Sequence, residues 1–343
     1  MTASQLLAAE KLPGGAVFLL TGNDDFLREL VLTRLRQQLL DKDFAEFNHS
    51  VVRCSANTKS TVVADALFEL PMMTDRRLLE LRSAQSLPPK VIESLHRDFT
   101  RAVESKAVAV VISLESEPGA KGGPRKADFP WVEGLNPAAV VVQCSLDDKE
   151  VPAWIRQRAQ DLGLTLAGNA AQVLQERVGR DLRLLDSHIQ KLRLFQGKGA
   201  QSVGVAEVEA LVPMSVEVQT WRLTAAIGSK DVKAAYTVLD HLLAQGENPG
   251  SILSYVNSYM LSLAELKDLK QRLGSLPAIA AAMPKKSEYQ IKKNLEDAAT
   301  WSDQQLRSGF ERLMRADFRI KTGSDALLML QLTLLQLCSR AGR

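Results

Sequence analysis

Short apolar runs alternate with stretches of helical periodicity over the first 145 residues. Between the runs, apolar residues recur three and four positions apart, as on one face of a helix; Leu27, Val31 and Leu35 are an example. This alternation predicts a parallel sheet with helices on both faces, which explains strands that are apolar throughout. The predicted strands are 16–20, 49–54, 77–81, 107–114 and 138–144. We predict one α/β domain over residues 1–146.

The pattern changes at residue 147, after which only helical periodicity is convincing. Three predicted helices, each followed by a Gly suited to a C-cap, and a short closing segment form a helical domain over 147–213. Residues 214–343 form a second, larger helical domain, with predicted helices at 216–228, 230–245, 249–273, 286–298, 302–321 and 323–341. The Gly- and Pro-rich segment 117–137 predicts a long mobile loop with at most a short helix.

Charge and hydropathy narrow the function classes. The 343 residues carry a formal net charge of +3, with 45% hydrophobic and 24% charged residues. Local clusters of Lys and Arg, more than net charge, neutralise phosphates, so this small excess permits a nucleic-acid partner without requiring one. The sequence shows neither an apolar run long enough to span a membrane nor a secretory leader. We therefore expect a cytoplasmic protein that does not bind a membrane.

Metal and thiol chemistry are not expected. Cys54, Cys144 and Cys338 are far apart, and each lies in or beside an apolar segment, which favours buried free thiols over a disulfide. None of the four His has a second His or Cys at the spacing of a metal site. The sequence thus predicts no metal and no cofactor.

The stretch AVFLLTGNDDFLREL, residues 16–30, has the strand, Gly turn and helix of a P-loop protein. A P-loop wraps phosphates with backbone N–H groups, balances their charge with Lys and holds magnesium with Ser or Thr. This chain has Gly22, Asn23, Asp24 and Asp25 instead. Asn23 or Asp24 suits the helix N-cap, and the two aspartates would repel a phosphate. The third strand also runs into Arg and Ser, where a metal-binding acidic pair is needed, so the ATP machinery is degenerate.

Four segments in order along the chain carry a family resemblance: FLLTGNDDFLRE, FELPMMTDRRLLEL, DLRLLDSHIQKLRLFQG and RADFRIKTG. Together they resemble the delta-subunit family of bacterial DNA polymerase III, part of the sliding-clamp loader. Each motif is weak alone, but the likeness covers nearly the whole chain in the right order. The resemblance implies an AAA+-like, P-loop NTPase-type N-terminal domain with a degenerate nucleotide site, a three-helix lid and a C-terminal helical collar. These correspond to 1–146, 147–213 and 214–343.

The resemblance also implies a function. It implies a noncatalytic subunit of the DNA-directed DNA polymerase holoenzyme, a nucleotidyltransferase, that opens the β sliding clamp for loading onto primed DNA without hydrolysing ATP. The implied partners are the clamp, ATP-binding gamma/tau and delta-prime subunits contacted through the C-terminal domain, and primer-template DNA within the assembly.

The family's clamp-binding pair is usually Leu-Phe, and the matching positions here are Met72 and Met73, after Pro71. Methionine is apolar and can fill an irregular pocket, although it lacks a rigid ring. We therefore expect an exposed wedge that inserts into the clamp; the alternative is a turn with two core methionines.

Other charged positions have structural alternatives. For Asp75 and Arg77 a solvated turn and a role in fixing the wedge remain open. Arg180 and Arg183 are expected on an exposed helical face. Four lysines of the C-terminal domain predict either a charged surface or a contact with DNA or a neighbouring subunit: Lys285, Lys286, Lys292 and Lys293. A helix ending is predicted at Asp317, Lys321, Thr322 and Gly323.

Two other functions remain open on sequence grounds. One is an active AAA+ ATPase with degenerate motifs, against which the missing Lys and metal carboxylates argue. The other is a DNA-binding adaptor of the same superfamily that does not contact the clamp.

Overall fold

The computed structural model of the chain describes residues 1–13, 17–115, 139–197, 202–283 and 288–339. The chain divides into two compact units, the first over 1–154 and the second over 155–343. The predicted collar and all but the first residues of the predicted lid fall in the second unit, and the domain boundaries at 146 and 213 remain predictions. The loop predicted at 117–137 lies outside the described residues.

The first unit is built on a parallel sheet. Its five described strands lie in the order β2-β3-β4-β1-β5, and all neighbours run parallel. β1 and β4 are buried along their whole length, as expected for strands covered on both faces. All five predicted strands are confirmed, and only their ends differ. They are β1 (Val17–Thr21), β2 (His49–Arg53), β3 (Arg77–Arg82), β4 (Val108–Ser113) and β5 (Val140–Gln143).

Helices cover this sheet. α3 and α4 pack on each other, and their buried residues share one apolar core with β1, β3 and β4. α2 packs against β3, and α1 packs against α2. The sequence pattern did not predict α1, which begins at a capping box formed by Thr2 and Gln5. The helices are α1 (Ala3–Ala8), α2 (Asp25–Leu39), α3 (Ser60–Phe68) and α4 (Pro89–Glu104), with a short 3₁₀ helix at Ala84–Ser86.

A buried carboxylate lies within β3. The Glu80 side chain is 1% exposed and accepts hydrogen bonds from Arg36 of α2, at 2.5 and 2.8 Å. The His49 ring of β2 lies 2.8 Å from the same carboxylate, and Arg82 approaches it at 3.4 Å. Burial by itself raises the pKa of Glu80, but the His49 and Arg36 hydrogen bonds and charges outweigh it and lower the pKa to about 2. Glu80 therefore joins three elements of the unit through one charge.

The second unit is helical, and every helix predicted for it is present. The first three helices end at Gly163, Gly179 and Gly197, all with positive φ, as the sequence predicted. A short fourth helix, α8, packs on α6 and α7. The helices are α5 (Val151–Asp161, which begins in the first unit), α6 (Ala170–Val178), α7 (Leu182–Gln196), α8 (Val205–Leu211), α9 (Val216–Gly228), α10 (Val232–Ala244), α11 (Pro249–Leu273), α12 (Leu276–Ala282), α13 (Glu288–Ala299), α14 (Asp303–Lys321) and α15 (Ala326–Cys338).

Two apolar cores hold the last seven helices together. The larger one is shared by α9, α10, α11, α14 and α15. The smaller one is formed by α11, α12 and α13, around Leu266, Ile279 and Ile291. The sequence pattern missed α12, which is only two turns long. None of the described helices is long and apolar enough to cross a membrane.

The Glu80 network generates a stability prediction. Glu80→Gln should lower the free energy of unfolding of the first unit by about 3 kcal/mol, because it removes one member of a buried ion pair. The folded-state pKa of about 2 lies below the usual 4.5, so the unfolded state binds more protons at acidic pH. The charge's contribution is therefore present above about pH 4.5 and is lost as the pH falls toward 2. Urea unfolding of the full chain measures both effects, if hydrogen exchange is read out on peptides that come from the first unit.

Glu46→Gln is the matched control, because it makes the same change at an exposed position of the same unit. It should leave the stability and its acid dependence nearly unchanged. An equal loss in the two variants would contradict the assignment.

Candidate protein-binding site

The loop between α3 and β3, residues 69–76, exposes apolar side chains to solvent. Leu70 is 83% exposed, Met72 54% and Met73 79%, while Pro71 is partly buried. Met73 has φ of +59°, a left-handed conformation that is uncommon for a residue with a side chain. The two methionines are thus outside the apolar core, which contradicts the alternative of a turn with two core methionines. The sequence pattern did not single out Leu70, the most exposed of the three.

An ion pair closes the base of this loop. Arg77, the first residue of β3, lies 2.5 Å from Glu69, which caps the end of α3, and also donates to the Ser50 hydroxyl of β2 at 2.5 Å. Arg77 is 1% exposed, which contradicts a solvated turn at this position, whereas Asp75 is exposed to solvent. Within the loop the Thr74 hydroxyl donates to the Arg76 carbonyl at 3.0 Å. The ion pair therefore joins the first residue of the loop, Glu69, to the strand residue that follows the loop, Arg77.

Asn48, just before β2, holds the centre of the loop. Its side-chain oxygen accepts from the Met72 N–H at 2.7 Å, and its side-chain nitrogen donates to the Met72 carbonyl at 2.9 Å. Asn48 is fully buried. Sequence reasoning missed it, because a single Asn before a strand has no pattern that distinguishes it from a surface residue.

Two aromatic side chains flank the loop. Phe68, the last residue of α3, is 45% exposed, with the Arg101 guanidinium 5.8 Å from its ring centre. Phe47, next to Asn48, is also well exposed. Exposed apolar groups of this size are typical of surfaces that bind another molecule. The loop and its neighbours thus have the composition of a protein-binding site.

The place where a P-loop protein binds phosphate is closed by the chain itself. The Asp24 side chain accepts from the Leu27 N–H at 2.8 Å, so Asp24 is the N-cap of α2, one of the two residues predicted for it. Burial raises the pKa of Asp24 above its usual value, and the hydrogen bonds from the Leu27 and Phe26 backbone offset only part of this effect. The Asp24 N–H donates to the Cys144 carbonyl at 3.0 Å.

The turn before α2 packs closely against the backbone that follows β5. Gly22 has φ of +105°, and a Cβ there would lie 2.4 Å from the Cys144 carbonyl oxygen. Arg28 is buried, donates to the Gly22 carbonyl at 2.7 Å and pairs with Asp25, while Asn23 is exposed. A guanidinium therefore occupies the inner side of the turn. Sequence reasoning did not find Arg28, whose partner is a backbone carbonyl that no residue pattern reveals.

The end of β3 carries a paired arginine at the position where a P-loop ATPase has its metal-binding acidic residues. β3 ends in Arg82, which pairs with Glu29 at 3.1 Å and with Glu80. Within the described ranges no group of three or more His, Cys, Asp or Glu could hold a metal ion. All three cysteines are buried free thiols, as predicted.

The second unit has an exposed apolar surface of its own. On α14 it includes Met314 and Phe318, four residues apart, and on the adjacent α15 it includes Leu328, Leu332 and Leu335. These spacings put each set on one face of its helix. The surface is a second candidate for protein binding.

The remaining predicted residues are mostly structural or exposed. Arg183 lies on an exposed face of α7, as predicted, whereas Arg180 is exposed in the turn before that helix, so its predicted helical position is wrong. Lys292 is exposed, and Lys293 lies 3.8 Å from Glu296; Lys285 and Lys286 fall outside the described residues. The predicted helix ending is confirmed at Asp317, Lys321, Thr322 and Gly323, where the first two form an ion pair and the last has positive φ.

Two family models match the chain. Residues 18–145 match the family described as "DNA polymerase III, delta subunit", and residues 217–337 match "DNA polymerase III delta subunit, C-terminal domain". Together the two matches span most of the chain, one in each unit.

Two relatives share sequence along nearly the full length. The DNA polymerase III subunit delta of Bacillus subtilis (strain 168) is 26% identical over 330 residues, covering 94% of this chain and 93% of that protein. The subunit of the same name from Escherichia coli (strain K12) is 23% identical over 309 residues, covering 89% and 86%.

A solved structure shares the fold. The Bacillus subtilis DNA clamp loader delta protein matches with a TM-score of 0.74 and 22% identity, over 98% of this chain and 99% of that one. The predicted fold class, an α/β domain with a parallel sheet followed by a helical region, is confirmed by the strands and helices described above and is shared with this structure.

The closed turn before α2 generates a prediction about Arg28. Arg28→Leu should lower the free energy of unfolding of the first unit by about 1–3 kcal/mol, because it removes the buried hydrogen bond from Arg28 to the Gly22 carbonyl and the ion pair with Asp25. Urea unfolding of the first unit measures the change. Gln37→Leu introduces the same side chain at an exposed position of α2 and should change stability little. If Arg28→Leu is as stable as the wild type, the guanidinium does not hold the turn closed.

Proposed function

The chain belongs to the DNA polymerase III delta subunit family, and from that premise we propose that it binds the β sliding clamp and opens it for loading onto primed DNA. It does so without hydrolysing ATP. The contact is made by Met72 and Met73, after Pro71, in the α3–β3 loop. As a replication subunit it acts in the cytoplasm.

The observation that carries the proposal is the exposure of apolar side chains on a braced loop. Burying a methionine that is otherwise in water contributes about 1.5–3 kcal/mol. Met72 and Met73 are exposed in the free chain, so this free energy is available only when a partner covers them. Side chains without branches at Cβ adapt to the shape of an apolar pocket.

Clamp opening follows from binding that differs between two states of the ring. A ligand shifts an equilibrium only by its difference in affinity for the two states. The loop directly follows α3, so a wedge seated in a pocket of the clamp places α3 against the adjacent clamp surface. Opening results if this arrangement fits the open ring better than the closed one.

The closed nucleotide site supports a noncatalytic role. Asp24 occupies the helix end where a phosphate would bind, and Arg28 is bonded to the Gly22 carbonyl. Energy from ATP therefore comes from companion subunits of the gamma/tau type. These subunits and delta-prime bind through the C-terminal domain, for which the exposed apolar faces of α14 and α15 are suited.

A DNA contact within the assembly is a further part of the proposal. Lys292 is exposed on α13, and Lys293 is only partly shielded by Glu296 and Asp297. Either can contact a phosphate of primer-template DNA or a carboxylate of a neighbouring subunit. Binding to DNA would fall steeply with salt concentration.

Replacing both methionines tests the clamp contact. Met72→Ser with Met73→Ser should weaken binding of the purified chain to its own sliding clamp by about 10- to 100-fold, because the apolar anchors are lost. Calorimetry gives the affinity, and light-scattering chromatography shows the complex. Leu194→Ser, which replaces an exposed apolar residue of α7, is the control and should bind as the wild type does. Unchanged affinity in the double variant would refute the wedge.

A nucleotide titration tests the noncatalytic role. Adding ATP with magnesium to the isolated chain should produce no binding heat and no rise in thermal midpoint, because a ligand that does not bind the folded state cannot stabilise it. An ATP-binding subunit of the loader serves as positive control. Saturable heat with release of phosphate would support an active ATPase instead. Salt-dependent DNA binding, with no complex to an intact clamp, would favour the adaptor function.

A further inference from the structure

Asn48 uses its whole side chain to hold backbone. Its oxygen accepts from the Met72 N–H at 2.7 Å, and its nitrogen donates to two carbonyls, Met72 at 2.9 Å and Phe44 at 3.0 Å. The carboxamide thus bonds both the N–H and the carbonyl of Met72, as the backbone of a neighbouring strand would. It is fully buried, so water does not compete for these bonds.

The backbone of Asn48 is itself fixed to the sheet. Its carbonyl accepts from the Leu78 N–H of β3 at 2.8 Å, and the next residue, His49, pairs with the buried Glu80. The amide that holds Met72 is therefore attached to β3 through two short connections. Movement of Met72 relative to the sheet would break bonds in a buried place, where unmade hydrogen bonds are costly.

The loop needs such support, because its conformation is not one that the chain adopts easily. Met73 follows the held residue and is left-handed, at φ of +59°. A non-glycine residue keeps such a backbone only when its surroundings hold it there. The Met72 and Met73 side chains are exposed to solvent, so they do not anchor this segment in the apolar core.

We propose that Asn48 is a positioning residue for the clamp contact. Its carboxamide sets the Met72 backbone, and with it the directions of the Met72 and Met73 side chains, before the clamp arrives. The free chain is thereby kept in the binding-competent shape, which removes an ordering cost from association. This inference rests on the proposed function, since the contact that Asn48 prepares is the one proposed for Met72 and Met73.

The test is a double-mutant cycle on the full chain, with affinity for the sliding clamp as readout. Asn48→Ser removes the carboxamide and should weaken binding about tenfold, by lowering the fraction of competent loops. In the Met72→Ser, Met73→Ser background the same change should cost nothing further, because the positioned side chains are already gone. Asn57→Ser, an exposed Asn of the same unit, is the matched control and should bind as the wild type does.

The outcomes separate the inference from the function on which it rests. Wild-type affinity in Asn48→Ser, or an equal loss in both backgrounds, would overturn the positioning role while leaving the wedge intact. Wild-type affinity in the Met72→Ser, Met73→Ser variant would refute the wedge, and the inference with it.

Hydrogen exchange of the unmutated chain gives a second measurement that does not depend on a variant folding. The Met72 amide should be protected in the absence of the clamp, even though its side chain is exposed. Exchange at the rate of an unstructured loop would overturn the proposal, because the Asn48 bond would then not be held in solution.

Discussion

The ion pairs of one buried carboxylate fix the part of the molecule on which the candidate site depends. Glu80 lies inside β3, with Arg36 of α2 and His49 of β2 bonded to it. An unpaired charge in this place would cost several kcal/mol, so the three elements must pack together for the sheet to form. β2 is an edge strand, and this charge attaches it to the interior. Asn48, one residue before His49, is thereby set beside the α3–β3 loop.

The loop itself combines features that a stable fold normally avoids. Apolar side chains lie in water, and Met73 has a left-handed backbone. Each feature costs free energy in the free chain. The bonds that Arg77 makes at the base of the loop and Asn48 makes at its centre offset this free-energy cost. Such an arrangement is useful when a partner later covers the apolar groups, which is how we interpret it here.

The turn before α2 shows how the same scaffold differs from a nucleotide-binding one. A helix N-terminus attracts anions, and in this chain the Asp24 carboxylate takes that position. Arg28 holds the turn from the inside through the Gly22 carbonyl. A region that binds phosphate in P-loop proteins therefore stabilises the start of α2 in this chain. This arrangement agrees with the noncatalytic role that we propose, in which companion subunits supply the nucleotide chemistry.

Local patterns determined much of this protein from the sequence alone. Runs of apolar residues predicted all five strands, and periodicity predicted the long helices. Asp24 was one of two residues predicted as the N-cap of α2, and the glycines after α5, α6 and α7 were predicted as C-caps. These signals depend on near neighbours in the chain. Three short helices, α1, α8 and α12, were not predicted as helices, since a helix of about two turns shows too little periodicity. The order of four motifs along the chain indicated the family, and the family's clamp-binding pair indicated Met72 and Met73.

Tertiary structure alone decided which polar residues are buried and which apolar residues are not. Asn48 and Met72 are 24 residues apart, and Arg36 and Glu80 are 44 apart. In the sequence each of these polar residues resembles an ordinary surface residue, because its partner is distant along the chain or is a backbone group. For the same reason an apolar pair such as Met72 and Met73 reads equally as core or surface. Its exposure depends on whether another element packs over it, and in this fold the loop that carries it is held out from the core by Asn48 and Arg77.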